Sequence, residues 1–356
     1  MKSQREQGPR QLFSSYFRLI AYSLAIGVVV GAGVAGMISI YGEVNALRLA
    51  FQERYGVLSS IIPAIGILAA YALVKNIGSS KRTGGGSHRI LEAFHYEGGR
   101  ITFRDTIVGP VASAVTIGSG GSAGFEGPGL LLGGGLGSVI AKRLGLGWEE
   151  VRVFLLAGAS AGMAAVFKAP LTGILFGLEL PYKRDMVRKA FIPATIASIS
   201  SYIVTITILG GEKLFPLLPN LNIPLETGIL EAFLLGLVMA VVGVAFVKGY
   251  ELLGAFARGI RVNRYALALA AGLVVGGVGY FLPQALGVGY PAIESAIAGD
   301  TGVQLLLSLL AAKLVLTCVT LRLGGSGGLF VPSLFVGAMA GAIFVAAIPG
   351  AGLSRK

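Results

Sequence analysis

Gly118-Ser-Gly-Gly-Ser-Ala-Gly-Phe-Glu126-Gly-Pro128, followed by Gly133 and Gly137, sets a pattern that occurs twice in this chain. The second copy is Gly324-Gly-Ser-Gly-Gly-Leu-Phe-Val-Pro332, followed by Gly337 and Gly341. Each is a glycine-rich approach, a proline, and then glycines five and nine residues further along an apolar run. Proline suits the first turn of a helix, where its missing N–H costs nothing. The glycines ahead of it let backbone amides come close to a ligand. Two such helix starts, one from each half of a membrane protein, are the components of an anion site built from helix N-termini.

The membrane environment follows from composition. Mean hydropathy is +0.79. Apolar residues make up 54% of the chain and charged residues 13%, where a soluble domain carries about 25% charged. A chain of 356 residues with 55 glycines suits closely packed, interrupted membrane helices. The formal charge of +12 comes from Lys and Arg in short loops between apolar segments, so it reads as topology and not as a nucleic-acid surface. The single Cys318, in an apolar stretch, excludes a disulfide within the chain and reads as a small hydrophobe.

Residues 1–18 form a basic N-terminal segment, expected in the cytoplasm. The apolar run Leu19–Ile40 is a first span, too long for a signal peptide and without a small-residue cleavage site. Residues 41–57 mix both charges, and Leu58–Val74 is a second span. Lys75, Lys81, Arg82 and Arg89 follow, so the positive-inside rule makes the first two spans a hairpin. Further apolar stretches run to 349, several too short to cross about 30 Å of hydrocarbon. Broken helices of this kind are tolerated where the freed backbone lines a cavity or meets protein. The expected organisation is a first membrane repeat over 19–210, a connecting loop over 211–227 and an incomplete second repeat over 228–356.

Glu126 is the residue with chemistry to offer. A carboxylate in a glycine-rich apolar stretch is either a solvated loop residue or part of a helix start. In the second case its charge meets the positive end of the dipole opened by Pro128. There it competes with a mobile anion for the same amides, and protonation releases it, which makes it a gate.

Gly124-Phe-Glu126-Gly-Pro128 resembles the Gly-Arg-Glu-Gly-Pro signature of the CLC family of chloride channels and chloride/proton antiporters. The run from Ala157 through Pro170 to Glu179 is similar to the family's next two helices, and Gly328-Leu-Phe-Val-Pro332 to its Gly-X-Phe-X-Pro motif. The resemblance implies an all-α integral membrane fold, a bundle of tilted, broken helices in two inverted repeats, with each subunit of a homodimer holding its own pore. It implies that Glu126 is the gating glutamate. The amides of Phe125, Glu126 and Gly127 would then line an outer anion position, and those of Leu329 and Phe330 a central one.

The departures from the pattern carry their own expectations. The family's first motif survives as Thr83-Gly-Gly-Gly-Ser-His-Arg89, which puts Gly86 where the anion-coordinating serine stands. Either Ser87 moves into that role or the site relies on backbone amides, and the choice among chloride, nitrate and fluoride stays open. Leu180, after Glu179, occupies the place of the internal proton-relay glutamate and cannot carry a proton. That favours uncoupled conduction, or a proton route elsewhere. Phe125 replaces an arginine and removes a positive charge beside the outer position. The second repeat lacks the helices and the pore-lining tyrosine that the family places near its end, so the sequence is expected to be a fragment or a shortened member.

The expected function is movement of chloride or a similar small inorganic anion, channel-like, without a cofactor and in a prokaryotic inner membrane. The alternatives are proton-coupled antiport of chloride, nitrate or fluoride, and a non-conducting truncated protein. A dinucleotide site at Gly118–Ala123 lacks its strand and acidic partner. His88 and His95 read as surface residues, not a metal pair. No paired catalytic groups point to an enzyme.

Overall fold

A computed structural model of the chain describes residues 9–182, 184–212, 215 and 225–347. In chain order its helices are α1 (Pro9–Tyr55), α2 (Ile62–Ile77), α3 (Ser87–Tyr96), α4 (Phe103–Gly118), α5 (Glu126–Arg143), α6 (Trp148–Phe167) and α7 (Pro170–Glu179). They continue with α8 (Phe191–Leu209), α9 (Leu225–Gly259), α10 (Arg264–Phe281), α11 (Tyr290–Ala298), α12 (Val303–Leu323) and α13 (Phe330–Ala347). No strand forms among the described residues, and the one extended pairing is an isolated bridge between Gly124 and Gly328. The expected connecting loop 211–227 falls mostly outside the described residues, as do residues 1–8 of the N-terminal segment.

Seven helical segments among the described residues are long and apolar enough to cross a bilayer, and the chain is an integral, multi-pass membrane protein. α7, with ten residues, is about 15 Å long and crosses only half of one. The first span departs from expectation. The helix does not end where the apolar run ends near Ile40 but continues to Tyr55. Residues 43–53 explain it: Glu43, Ala46, Leu47, Arg48, Leu49, Ala50, Gln52 and Glu53 are good helix formers with no proline among them. Polarity ends the buried stripe there without ending the helix.

The chain divides into two compact units. The first comprises Met1–Ile38, Gly86–Pro110 and Glu126–Glu212. Its centre is the α5–α6 crossing, where Gly129, Gly133 and Gly137 face Gly158 and Gly162. A Cβ on Gly133 would run into the Gly158 carbonyl, and one on Gly158 into the Gly133 carbonyl, so the two backbones touch directly. Around that crossing pack Ile90, Leu130, Leu155, Met163, Ile174 and Leu178. α8 is tied to α6 by Ser201 Oγ donating to the Ala161 carbonyl at 3.0 Å. Arg152 lies over the Phe94 ring at 4.1 Å. Arg89 grips Glu97 through both guanidinium nitrogens at 2.6 and 2.7 Å, and that bond holds the Arg89 pKa above its ordinary value.

The second unit comprises Ser39–Gly85, Val111–Phe125 and Lys213–Lys356. α10 packs backbone to backbone on α2 and on the short turn before it, Gly272 against Ala64 and Gly276 against Ser60. Ile67, Val275, Leu309, Leu316, Phe335 and Met339 form the core between these helices and α12 and α13.

Candidate functional site: two glycine-rich helix starts

Both copies of the repeated motif lead into helices at the same step. α5 begins at Glu126 and α13 at Phe330, so Pro128 and Pro332 each stand third in their helix. A proline in the first turn displaces no intrahelical bond. The first-turn N–H groups have no intrahelical acceptor. With the dipole they favour negative charge.

The approaches to these helices are built on a common plan with a constant offset of 204 residues, the separation of Pro128 and Pro332. Gly121 N–H donates to the Thr116 carbonyl at 2.8 Å, and Gly325 N–H to the Thr320 carbonyl at 2.7 Å. Ser122 N–H donates to Thr320 Oγ1 at 3.1 Å, while Ser326 N–H donates to Thr116 Oγ1 at 3.2 Å. Ser122 Oγ pairs with Thr317 Oγ1 at 2.8 Å, and Ser113 Oγ donates to Ser326 Oγ at 3.1 Å. Gly124 and Gly328 exchange both backbone bonds, at 3.0 and 2.8 Å. Each contact reappears with its partners exchanged, as a local two-fold axis requires. Gly120 and Gly324 open the two approaches with φ of +114° and +145°, which side chains rarely adopt. Thr116 and Thr320 are fully buried, so their hydroxyls replace water as acceptors for the Ser326 and Ser122 N–H groups.

Glu126 is 5% exposed, which removes the solvated-loop reading and leaves the helix start. Gly127 is buried beside it. Phe125, also 5% exposed, sets its ring edge-on to Tyr41 with centroids 5.0 Å apart. Leu329 and Phe330 at the start of α13 are 36% and 43% exposed.

Gly86 caps α3 and packs on the first turns of α5, where a Cβ would come within 2.5 Å of the Gly127 carbonyl and closer still to Leu131. No side chain fits there without a shift. Ser87, the first residue of α3, is half-buried next to it. Glu179 ends α7 exposed, and Leu180 packs on the apolar cluster of the first unit. Exposed His88 pairs with Glu92 at 3.4 Å, and His95 meets the Pro181 carbonyl at 2.9 Å. Among the described residues no three His, Cys, Asp or Glu converge on a metal position.

Two cations near the approaches escaped the sequence reading. Lys313 lies fully buried in α12, its Nζ donating to the carbonyls of Gly287 at 2.7 Å, Ala285 at 3.1 Å and Val288 at 3.4 Å. It also lies 4.6 Å above the centre of the Phe335 ring. Gly287 N–H in turn donates to the Gly120 carbonyl at 3.2 Å, so Lys313 anchors the turn that holds the first approach. A charge inside an apolar span is the signal that finds such a residue. The second cation, Arg48 on α1, has its side chain over Gly120.

A model of the family described as voltage gated chloride channel matches residues 65–354. An uncharacterized protein of Methanocaldococcus jannaschii is 25% identical over 339 residues, 94% of this chain and 81% of that protein. The H(+)/Cl(-) exchange transporter ClcA of Klebsiella pneumoniae is 33% identical over 242 residues, 66% of this chain and 51% of the transporter. The chain therefore spans about half the length of the curated exchange transporters it matches. Among solved structures, a slow cyanobacterial Cl-/H+ antiporter superposes with a TM-score of 0.81 at 21% identity, covering 90% of this chain and 77% of its own. A CLC-type fluoride/proton antiporter gives 0.77 at 24%, covering 92% and 80%. At these identities the likeness is one of fold.

Proposed function

Because the chain belongs to the family of voltage-gated chloride channels, we propose that it carries chloride or a similar small inorganic anion across the membrane, with Glu126 as the gate. The observation that carries this reading is the matched pair of approaches, reciprocally bonded, each leading into the first turn of a helix. On this reading the amides of Phe125, Glu126 and Gly127 serve an outer anion position and those of Leu329 and Phe330 a central one. Gly86 has no room for a side chain, so help from this loop comes from its backbone or from Ser87 beside it. Amides without a fixed cation bind an anion weakly enough to let it leave. The Glu126 carboxylate occupies the outer position when ionised and vacates it when protonated. The constant offset of 204 residues supports the division into a first repeat over 19–210 and a second over 228–356.

Transport is channel-like on this reading, since Leu180 packs among apolar side chains and offers no proton. The second reading is proton-coupled antiport, favoured by the names of the similar transporter and structures, which are exchangers of chloride or fluoride with protons. Placement in a prokaryotic inner membrane with the N-terminus inside, and assembly as a homodimer, complete the proposal. The test is chloride efflux from liposomes with external pH recorded in parallel. Efflux without proton movement supports the channel, and efflux with opposed proton movement supports the antiporter. A folded protein with no efflux contradicts both.

A further inference from the structure

Phe125 leaves the first approach without the arginine that the resemblance would place there, yet the second unit brings an arginine to the same approach from α1. The Arg48 side chain runs over Gly120, where a Cβ would lie 3.5 Å from Arg48 Cδ. Two turns back along α1, Tyr41 packs on the Phe125 ring itself. The guanidinium is half-buried and bonds only neutral amides: Nε and Nη2 to Asn45 Oδ1 at 3.3 and 3.0 Å, and Nη1 to Gln52 Oε1 at 3.3 Å. No carboxylate lies within ion-pair distance of it among the described residues. It lines an open cavity with Gln52, Ser59, Ser60, Tyr280 and Leu286, with room for about one water-sized occupant.

We propose that this cavity is an antechamber for a small inorganic anion and that Arg48 supplies the positive charge which Phe125 does not. A half-buried guanidinium without a counter-ion has its charge unmatched, and a mobile anion is the natural complement. The serine hydroxyls and the tyrosine around it are donors suited to such an ion. The cavity abuts Gly120, so an anion held there waits at the foot of the approach that ends in Phe125 and α5. This inference rests on the anion-transport reading and adds a loading site to it.

The experiment compares wild type, Arg48→Gln, Arg48→Lys and the double variant Arg48→Gln/Phe125→Arg in liposomes, with efflux measured against chloride concentration and melting recorded for each. Arg48→Gln should raise the half-saturating chloride concentration about three- to tenfold, as loss of one partly screened charge implies. Arg48→Lys should stay within about twofold of wild type, and restoring an arginine at position 125 should recover part of the loss. Ser60→Asp, which adds a carboxylate while keeping Arg48, should raise half-saturation too and serves if Arg48→Gln does not fold. Unchanged half-saturation in a variant that melts like wild type overturns the antechamber. If wild type transports nothing, calorimetry of chloride binding to the purified protein decides. Weaker binding by Arg48→Gln then supports the antechamber while the transport reading falls, and equal binding overturns it.

Discussion

Thr320→Val exchanges a hydroxyl for a methyl of almost the same size, so its effect isolates one hydrogen bond. The bond is that from Ser122 N–H, 3.1 Å long, between residues that are both fully buried. No water replaces the lost acceptor, and an unsatisfied buried N–H costs about 1–3 kcal/mol. The two-fold plan makes a second statement. Thr116→Val removes the corresponding acceptor from Ser326 N–H, a bond of 3.2 Å in equal burial. The two variants should therefore lose similar stability, about 1–3 kcal/mol each, with Thr116→Val also giving up the bond that Thr116 Oγ1 donates to the Ala112 carbonyl at 2.8 Å. In melting temperature each loss is on the order of 1–4 °C for a chain of this length. The double variant should fall short of the sum, because both approaches are fastened by the single Gly124–Gly328 bridge. Contacting residues commonly couple by about 0.5–3 kcal/mol. Circular dichroism melts of the detergent-purified protein provide the measurement. If one valine variant melts like wild type while the other is crippled, or if the two losses add fully, the reciprocal bracing is wrong.

The other predictions concern single positions. Lys313→Met removes the donor from three buried carbonyls, so stability should drop by about 1–3 kcal/mol; an unchanged melt would mean that the turn at 285–288 holds without it. Gly133→Ala forces the α5 and α6 backbones apart and should cost about 1–3 kcal/mol, read by the same melts, whereas a neutral result would contradict direct backbone contact. Gly86→Ser puts a side chain against the Gly127 carbonyl and should reduce anion flux by displacing the start of α5; flux that rises in efflux assays would argue that a serine is accommodated as a ligand.

Much of the architecture could be read from local sequence, because it depends on local chemistry. Prolines after glycine runs mark helix starts wherever they occur, and Pro128 and Pro332 do so at the same position of α5 and α13. For Glu126 the sequence left a solvated loop and a helix start both open, and its burial decides for the second. What escaped reading are pairings over long separations. Nothing in the residues around Thr116 announces that its hydroxyl serves Ser326, 210 residues away. Lys313 was hidden differently: one charge barely lowers the hydropathy of a 21-residue helix, and the carbonyls it meets belong to a distant turn. Arg48 stands beyond the end of the apolar run, where only its helix-forming neighbours hint that α1 continues to Tyr55. The missing serine at position 86 was visible in the sequence, but the reason was not, since the obstruction comes from Leu131 and the Gly127 carbonyl.

The central claim is that an anion crosses by displacing the Glu126 carboxylate from the first turn of α5. Chloride efflux from liposomes, compared between wild type and Glu126→Gln from acid to neutral pH, tests it most directly. A glutamine keeps the shape but not the charge, so the variant should pass chloride faster near neutral pH and lose most of the pH dependence of wild type. The same flux and the same pH profile in both proteins would take Glu126 out of the gate.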